Sequence, residues 1–244
     1  MKILNATVLI LSFLLGSLSF AADIDNFKKS LIKVSPDLAK MSQNIKKSPI
    51  PNIYEVLIEG KILYFTADAK HYFFRSQLYQ TDDNKSLTDE SLMPYRLESL
   101  NHIKEKDFLT YAPPASDKIK KTITVVTDTS CPYCQKFHQQ VPALNKKGIS
   151  VRYMLFPRAG IDSQSSKIMQ SAWCADDPQK ALTDAKNGDK ITDKTCPNPI
   201  KQHVKVAGDM GLTGTPMIIL PDGDLVRGYV PTEQLLEILD EKNK

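Results

Sequence analysis

Apolar residues recur along this chain with several different spacings, and each change of spacing marks a change of element. Residues 8–15, VLILSFLL, form a nearly unbroken apolar run behind a single cation, Lys2. The run is shorter than the roughly 20 residues needed to cross about 30 Å of hydrocarbon. Ser19-Phe20-Ala21 then supplies small residues at the spacing of a cleavage site, so residues 1–21 read as an export signal cut after Ala21. Helical spacing follows: Phe27, Leu31 and Val34 fall on one face at i, i+4 and i+7. Asp23 or Asp25 is placed to cap this helix, and Pro36 to end or interrupt it. From Asn52 the runs IYEVLIEG, KILYFTAD and KHYFFRSQLYQ are short and rich in β-branched and aromatic residues. Glu59-Gly60-Lys61 and Ala67-Asp68-Ala69-Lys70 separate them as turns, which predicts a three-stranded meander behind one helix. A unit of about 60 residues buries a small share of its surface, and its open strand edge invites a second copy.

Residues 81–91, TDDNKSLTDES, break the pattern with polar residues. A second helical pattern places Leu97, Leu100 and Ile103 on one side and Arg96, Glu98, Lys104, Glu105 and Lys106 on the other. So narrow an apolar face suits a connector between domains, kinked or begun at Pro94 and closed stiffly by Pro113-Pro114. The strand-like run Thr122–Asp128, a helix and a second strand, Ile149–Pro157, then predict a βαβ unit with a parallel pair. A helical stretch over 163–209, a hairpin turning at Asp222-Gly223 and a final helix through Leu235, Leu236 and Leu239 complete the chain. The expected division is 22–80 for the first domain, 81–117 for a helical linker and 118–244 for the second domain.

Charge narrows the functions available. The 32 basic and 28 acidic residues leave a formal net charge of +4, too small an excess to argue for nucleic acid or an acidic surface. The four cysteines, Cys131, Cys134, Cys174 and Cys196, all lie in the second half. Export permits disulfides, and four cysteines allow three pairings.

The stretch TDTSCPYCQKFH carries the chemistry. With Ser130 as N-cap, Cys131 falls in the first turn of a helix, where open backbone N–H groups and the positive dipole end favour a thiolate. Cys131 is then the nucleophile, and Cys134, one turn further in and more covered, resolves the mixed disulfide. A purely structural bond would gain little from so short a loop, and a zinc site needs about four ligands. No metal or other cofactor is expected. His138, a turn beyond Cys134, either tunes the pair or is simply solvated, and Pro142 implies a kink. Cys174 and Cys196 read best as a structural crosslink worth roughly 3 kcal/mol, the alternative being a second redox pair. Pro216 is either an ordinary strand-start proline or a cis proline that exposes the Thr215 backbone to an extended visitor.

Taken together, TVVTDTSCPYCQKFH, GISVRYMLFPRAG, SAWCADD, TGTPMIILPDG and GYVP resemble, in order, the periplasmic thiol:disulfide interchange proteins of the DsbC/DsbG family. The resemblance implies an α+β chain: a small cystatin-like N-terminal dimerisation domain, a helical linker and a thioredoxin-like catalytic domain with a helical insertion. It implies a V-shaped homodimer acting on misoxidised or partly folded exported proteins, kept reduced by an inner-membrane reductase, DsbD. On that pattern Cys131 attacks, Cys134 resolves, Thr215 and Pro216 form a substrate-binding cis-proline loop, and Cys174–Cys196 is the structural disulfide. Pro132 departs from the glycine usual in DsbC. The Cys-Pro-Tyr-Cys form resembles DsbG, so Pro132 and Tyr133 are expected to tune the pair, whereas DsbG typically lacks the Cys174/Cys196 pair. The alternative function is a DsbG-like chaperone or reductase of sulfenylated single cysteines.

Overall fold

The computed structural model describes residues 23–241, which form two compact units divided at Thr88/Asp89. The expected export signal and its cleavage site lie outside the described residues.

In the first unit, helix α1 (residues 23–34) buries Phe27 and Leu31 against a sheet, with Phe27 stacked on Tyr54 at 4.2 Å between ring centroids. Val34, expected on the same face, is exposed, because the helix ends there and Pro36 starts a separate helix, α2 (Pro36–Met41). The sheet has four strands in the order β1 (Ser42–Lys47), β2 (Ile53–Ile58), β3 (Lys61–Thr66) and β4 (Tyr72–Phe73). Glu59 and Gly60, with φ of 47° and 70°, make the two-residue β2–β3 turn that the sequence placed there. Two features differ from the sequence reading. SQNIKK adds an edge strand, β1, whose polar composition hides it. The third expected strand shrinks to two paired residues, leaving Tyr72, Phe73 and Phe74 exposed.

Helix α3 (Leu87–Leu100) crosses the division between the units. In the second unit a five-stranded sheet runs β5 (Leu109–Tyr111), β7 (Ile149–Leu155), β6 (Lys121–Thr127), β8 (Met217–Ile219), β9 (Leu225–Arg227) in spatial order. β6 and β7 are parallel and joined through α4 (Pro132–Gln139) and α5 (Val141–Lys146), the expected βαβ unit; the other pairs are antiparallel. Pro142 sits in the first turn of α5, where its missing N–H costs nothing, so the expected kink is a break into two helices. The helical insertion comprises α6 (Gln164–Trp173), α7 (Pro178–Asn187) and α8 (Ile200–Asp209), and α9 (Thr232–Glu241) closes the chain.

Period-two alternation fills both faces of this sheet. Ile123, Val125, Val151, Tyr153 and Ile218 point into one core with Phe137, Leu144, Leu182 and Leu235. Val126, Met154 and Ile219 point into the other, with Leu100, Ile103 and Val206. Leu100 and Ile103 thus belong to a core, and residues 109–111 of the stretch read as a linker form an edge strand. Arg96, expected on a charged outer face, is buried, donating to Asp89 at 2.5 Å and to the Gly223 carbonyl at 3.1 Å. The narrow apolar stripe misled because a guanidinium whose donors meet a carboxylate and a carbonyl can occupy an interior position. Gly223, in the β8–β9 turn with φ of 89°, packs so closely on α3 that a Cβ would lie 2.4 Å from the Met93 carbonyl oxygen. Gly223→Ala is expected to lower the unfolding free energy by about 2 kcal/mol in a urea titration; a change within about 0.5 kcal/mol would show that α3 yields freely.

Candidate dithiol active site

β6 ends at Thr127, and the four residues after it build the entry to α4. Asp128 is fully buried and accepts from the Ser130 backbone N–H at 2.8 Å and from its hydroxyl at 2.9 Å. Its other oxygen accepts from the Arg158 backbone N–H at 3.0 Å and Nε at 3.3 Å. Burial opposes the charge of Asp128, but these donors outweigh it and hold the carboxyl below its ordinary value. The Asx turn corrects the expected helix start. Ser130 is spent on Asp128, and Cys131 itself is the N-cap, with Pro132 at the first helical position.

No oxygen caps α4; the Cys131 sulfur stands where one would. It lies 3.4 Å from the Thr215 carbonyl oxygen, to which the thiol donates, and Thr215-Pro216 is a cis peptide. Burial raises the Cys131 thiol, yet it stays below its ordinary value. The Thr215 hydroxyl, the Cys134 backbone N–H and thiol, and the Arg158 charge all favour the thiolate. Burial dominates at Cys134 and pushes its thiol up. Cys131 exposes 1 % of its surface and Cys134 none, so the expected nucleophile is better covered than that role suggested. Tyr133 between them is 63 % exposed. Both cysteines are free thiols, whereas Cys174 and Cys196, 5.7 Å apart between Cα atoms, are bonded and tie the end of α6 to the segment before α8.

His138 is neither solvated nor at the sulfurs. It is buried, with Nδ1 2.9 Å from Tyr153 Oη and Nε2 3.0 Å from Thr183 Oγ1. Burial, and then the Lys186 charge, push it down to about 3, so it is neutral across the working range. Lys186 escaped the sequence reading altogether: its side chain is buried, and Nζ donates to Thr127 Oγ1 at 2.7 Å. The signal lay in spacing, because Lys186 stands four residues after the buried Leu182, on the inward face of α7.

The two buried histidines set a pH limit on stability. His203 is likewise pushed down, to about 4, by burial. Below about pH 6.5 the unfolded chain binds protons at both sites while the folded chain does not, so stability present above that pH falls as the pH drops toward 4 and then 3. Urea midpoints measured from pH 7 to 4 are expected to fall, and His138→Gln to flatten part of that slope; parallel curves would contradict the burial of a neutral His138.

Comparison with known proteins matches this geometry to a family. Residues 114–243 match a thioredoxin-like domain and residues 19–89 the disulfide bond isomerase protein N-terminal domain. The chain is 36% identical over 214 residues to the Thiol:disulfide interchange protein DsbC of Escherichia coli (strain K12), covering 86% of this chain and 88% of that one. It is 36% identical to the DsbC protein of Dickeya dadantii, covering 96% and 94%, and 34% identical to that of Pasteurella multocida, covering 98% and 99%. A solved disulfide interchange protein from Neisseria gonorrhoeae shares the fold over 57% of this chain and 97% of that one, with a TM-score of 0.51 at 24% identity. These relatives do not favour the DsbG-like alternative. With its dithiol at a helix N-cap opposite a cis proline, this thiol-disulfide oxidoreductase belongs to the DsbC family of the thioredoxin superfamily.

Proposed function

We propose that the protein is a periplasmic disulfide isomerase that rearranges non-native disulfides in exported proteins. The observation that carries this is the asymmetry of the pair: Cys131 is held below the ordinary thiol value at an N-cap beside the Thr215 carbonyl, and Cys134 above it. A thiolate at Cys131 attacks a substrate disulfide, the substrate's second sulfur leaves, and a mixed disulfide forms. A protonated Cys134 leaves that intermediate time to exchange with another substrate thiol, which is isomerisation; deprotonated, it releases the substrate reduced. The Thr215-Pro216 loop offers the edge on which an extended substrate backbone lies. Pro132 presets the first helical turn, and the exposed Tyr133 flanks the substrate. Cys174–Cys196 is a structural crosslink.

The first unit would make a homodimer. β4 lies at the edge of its sheet and carries exposed Tyr72 and Phe73, followed by exposed Phe74. Open edges and clustered aromatics of this kind are where a second chain pairs. A DsbD-like inner-membrane reductase would return the pair to the dithiol state after each net reduction.

Reactivation of a scrambled multi-disulfide protein is the test. Cys131→Ser is expected to bring the rate to the uncatalysed level, and Cys134→Ser to retain part of it through exchange from the mixed disulfide; activity in Cys131→Ser would sink the mechanism. Phe73→Asp combined with Phe74→Asp is expected to give a monomer by analytical ultracentrifugation, and an intact dimer would remove this surface from the interface.

A further inference from the structure

Nothing above gives a role to GYVP, residues 228–231. The structure stations this segment beside the dithiol helix. The Gly228 N–H donates to the Pro216 carbonyl at 2.9 Å, which carries the β8–β9 ladder onto the cis-proline loop. The Val230 carbonyl accepts from Gln140 Nε2 at 3.0 Å, at the C-terminal end of α4. Tyr229 is thereby fixed through both of its neighbours, between the cis-proline loop and the helix that follows Cys131. Its ring is half-buried against the core, and Lys136 Nζ lies 4.5 Å from the ring centre. Lys136 itself is exposed, one turn along α4 from Pro132 and Tyr133, which are also exposed. Residues three and four apart share a helix face, so these three form one outward strip. Among the described residues Lys136 has no carboxylate at ion-pair distance. Arg158, the other cation at the site, spends its Nε on Asp128. An ammonium has three N–H donors, and a ring engages it from one side only. Lys136 is thus a cation oriented by an aromatic ring, open to solvent, beside the loop on which a substrate lies.

We propose that Lys136, steered by Tyr229, is a specificity-determining residue that binds an acidic side chain of the substrate a few residues from the attacked cysteine. The proposal rests on the reading of Cys131 as the attacking sulfur and of the Thr215-Pro216 loop as the substrate's edge. The spacing follows from helix and strand geometry. Lys136 comes five residues after Cys131, about 7.5 Å along the axis of α4. An extended chain covers that distance in two to three residues at about 3.3 Å each. A carboxylate at that place accepts from the ammonium donors that the ring leaves open. The contact is a charge-assisted hydrogen bond at the surface, worth little in absolute terms. It therefore sorts substrates by charge and leaves the exchange chemistry to the cysteines.

The test uses the full chain as Cys134→Ser, so that the reaction stops at the mixed disulfide. Each peptide probe carries one cysteine bonded to thionitrobenzoate, the better leaving group. The Cys131 thiolate attacks the peptide sulfur, and coloured thionitrobenzoate leaves with the electron pair. The probes place Glu or Lys three residues before the cysteine, three after it, or six away. At one of the two three-residue positions the Glu peptide is expected to react about fivefold faster than the Lys peptide at low salt. The ratio is expected to approach one in about 1 M salt and at the six-residue position. Lys136→Glu is expected to invert the ratio at the same position. Tyr229→Leu keeps the charge and frees it from the ring, and is expected to bring the ratio below about twofold; should that variant fail to fold, Lys136→Glu decides alone. Equal rates for Glu and Lys peptides at both three-residue positions would overturn the proposal. So would a preference that Lys136→Glu leaves in place, which would assign it to Arg158. Release from none of the peptides would overturn Cys131 as the attacking sulfur, and with it the reading on which the proposal rests.

Discussion

The site depends on β6 being paired on both edges. Its parallel pairing with β7 and antiparallel pairing with β8, with Val126 opposite Met217, fix the chain on either side of the dithiol. Two residues before Met217 is Thr215, and five after Val126 is Cys131. The register therefore delivers the Thr215 carbonyl to within 3.4 Å of the Cys131 sulfur. A two-residue slip in that pairing would keep every strand side chain on its face and still separate the loop from the thiol, because strands advance about 3.3 Å per residue. What prevents it is the double-sided core, in which Ile218 and Ile219 fill opposite faces.

Much of this was legible in the sequence, for reasons particular to each element. The Cys-x-x-Cys motif sits between two β-branched strands, and strand, helix and strand at that spacing admit little but a parallel crossover. Asp222-Gly223 announces its turn by composition. Elsewhere, tertiary partners overrode local signals. Ser130 has the chemistry of an N-cap, but Asp128 takes its hydroxyl and moves the cap to Cys131. Arg96, His138 and Lys186 are polar by type and buried by context, each matched to a partner distant in sequence. β1 and β5 are too short or too polar to carry a period, and both are edge strands, where burial imposes least on composition.

The two thiols share one motif and differ because their surroundings differ. Cys131 meets the open N-terminus of α4, the Thr215 hydroxyl and the Arg158 charge. At Cys134, one turn inward, burial outweighs the Lys186 charge and decides its behaviour. An isomerase needs this inequality, since a resolving thiol as ready as the attacking one would end every encounter in reduction.

Whatever stabilises the Cys131 thiolate favours the reduced pair. The reduction potential of the Cys131/Cys134 couple, from equilibration with glutathione at pH 7, measures that stabilisation directly. A value near that of protein disulfide isomerase, roughly −180 mV, is the predicted result. A value near that of thioredoxin, roughly −270 mV, would contradict it and mark a plain reductase.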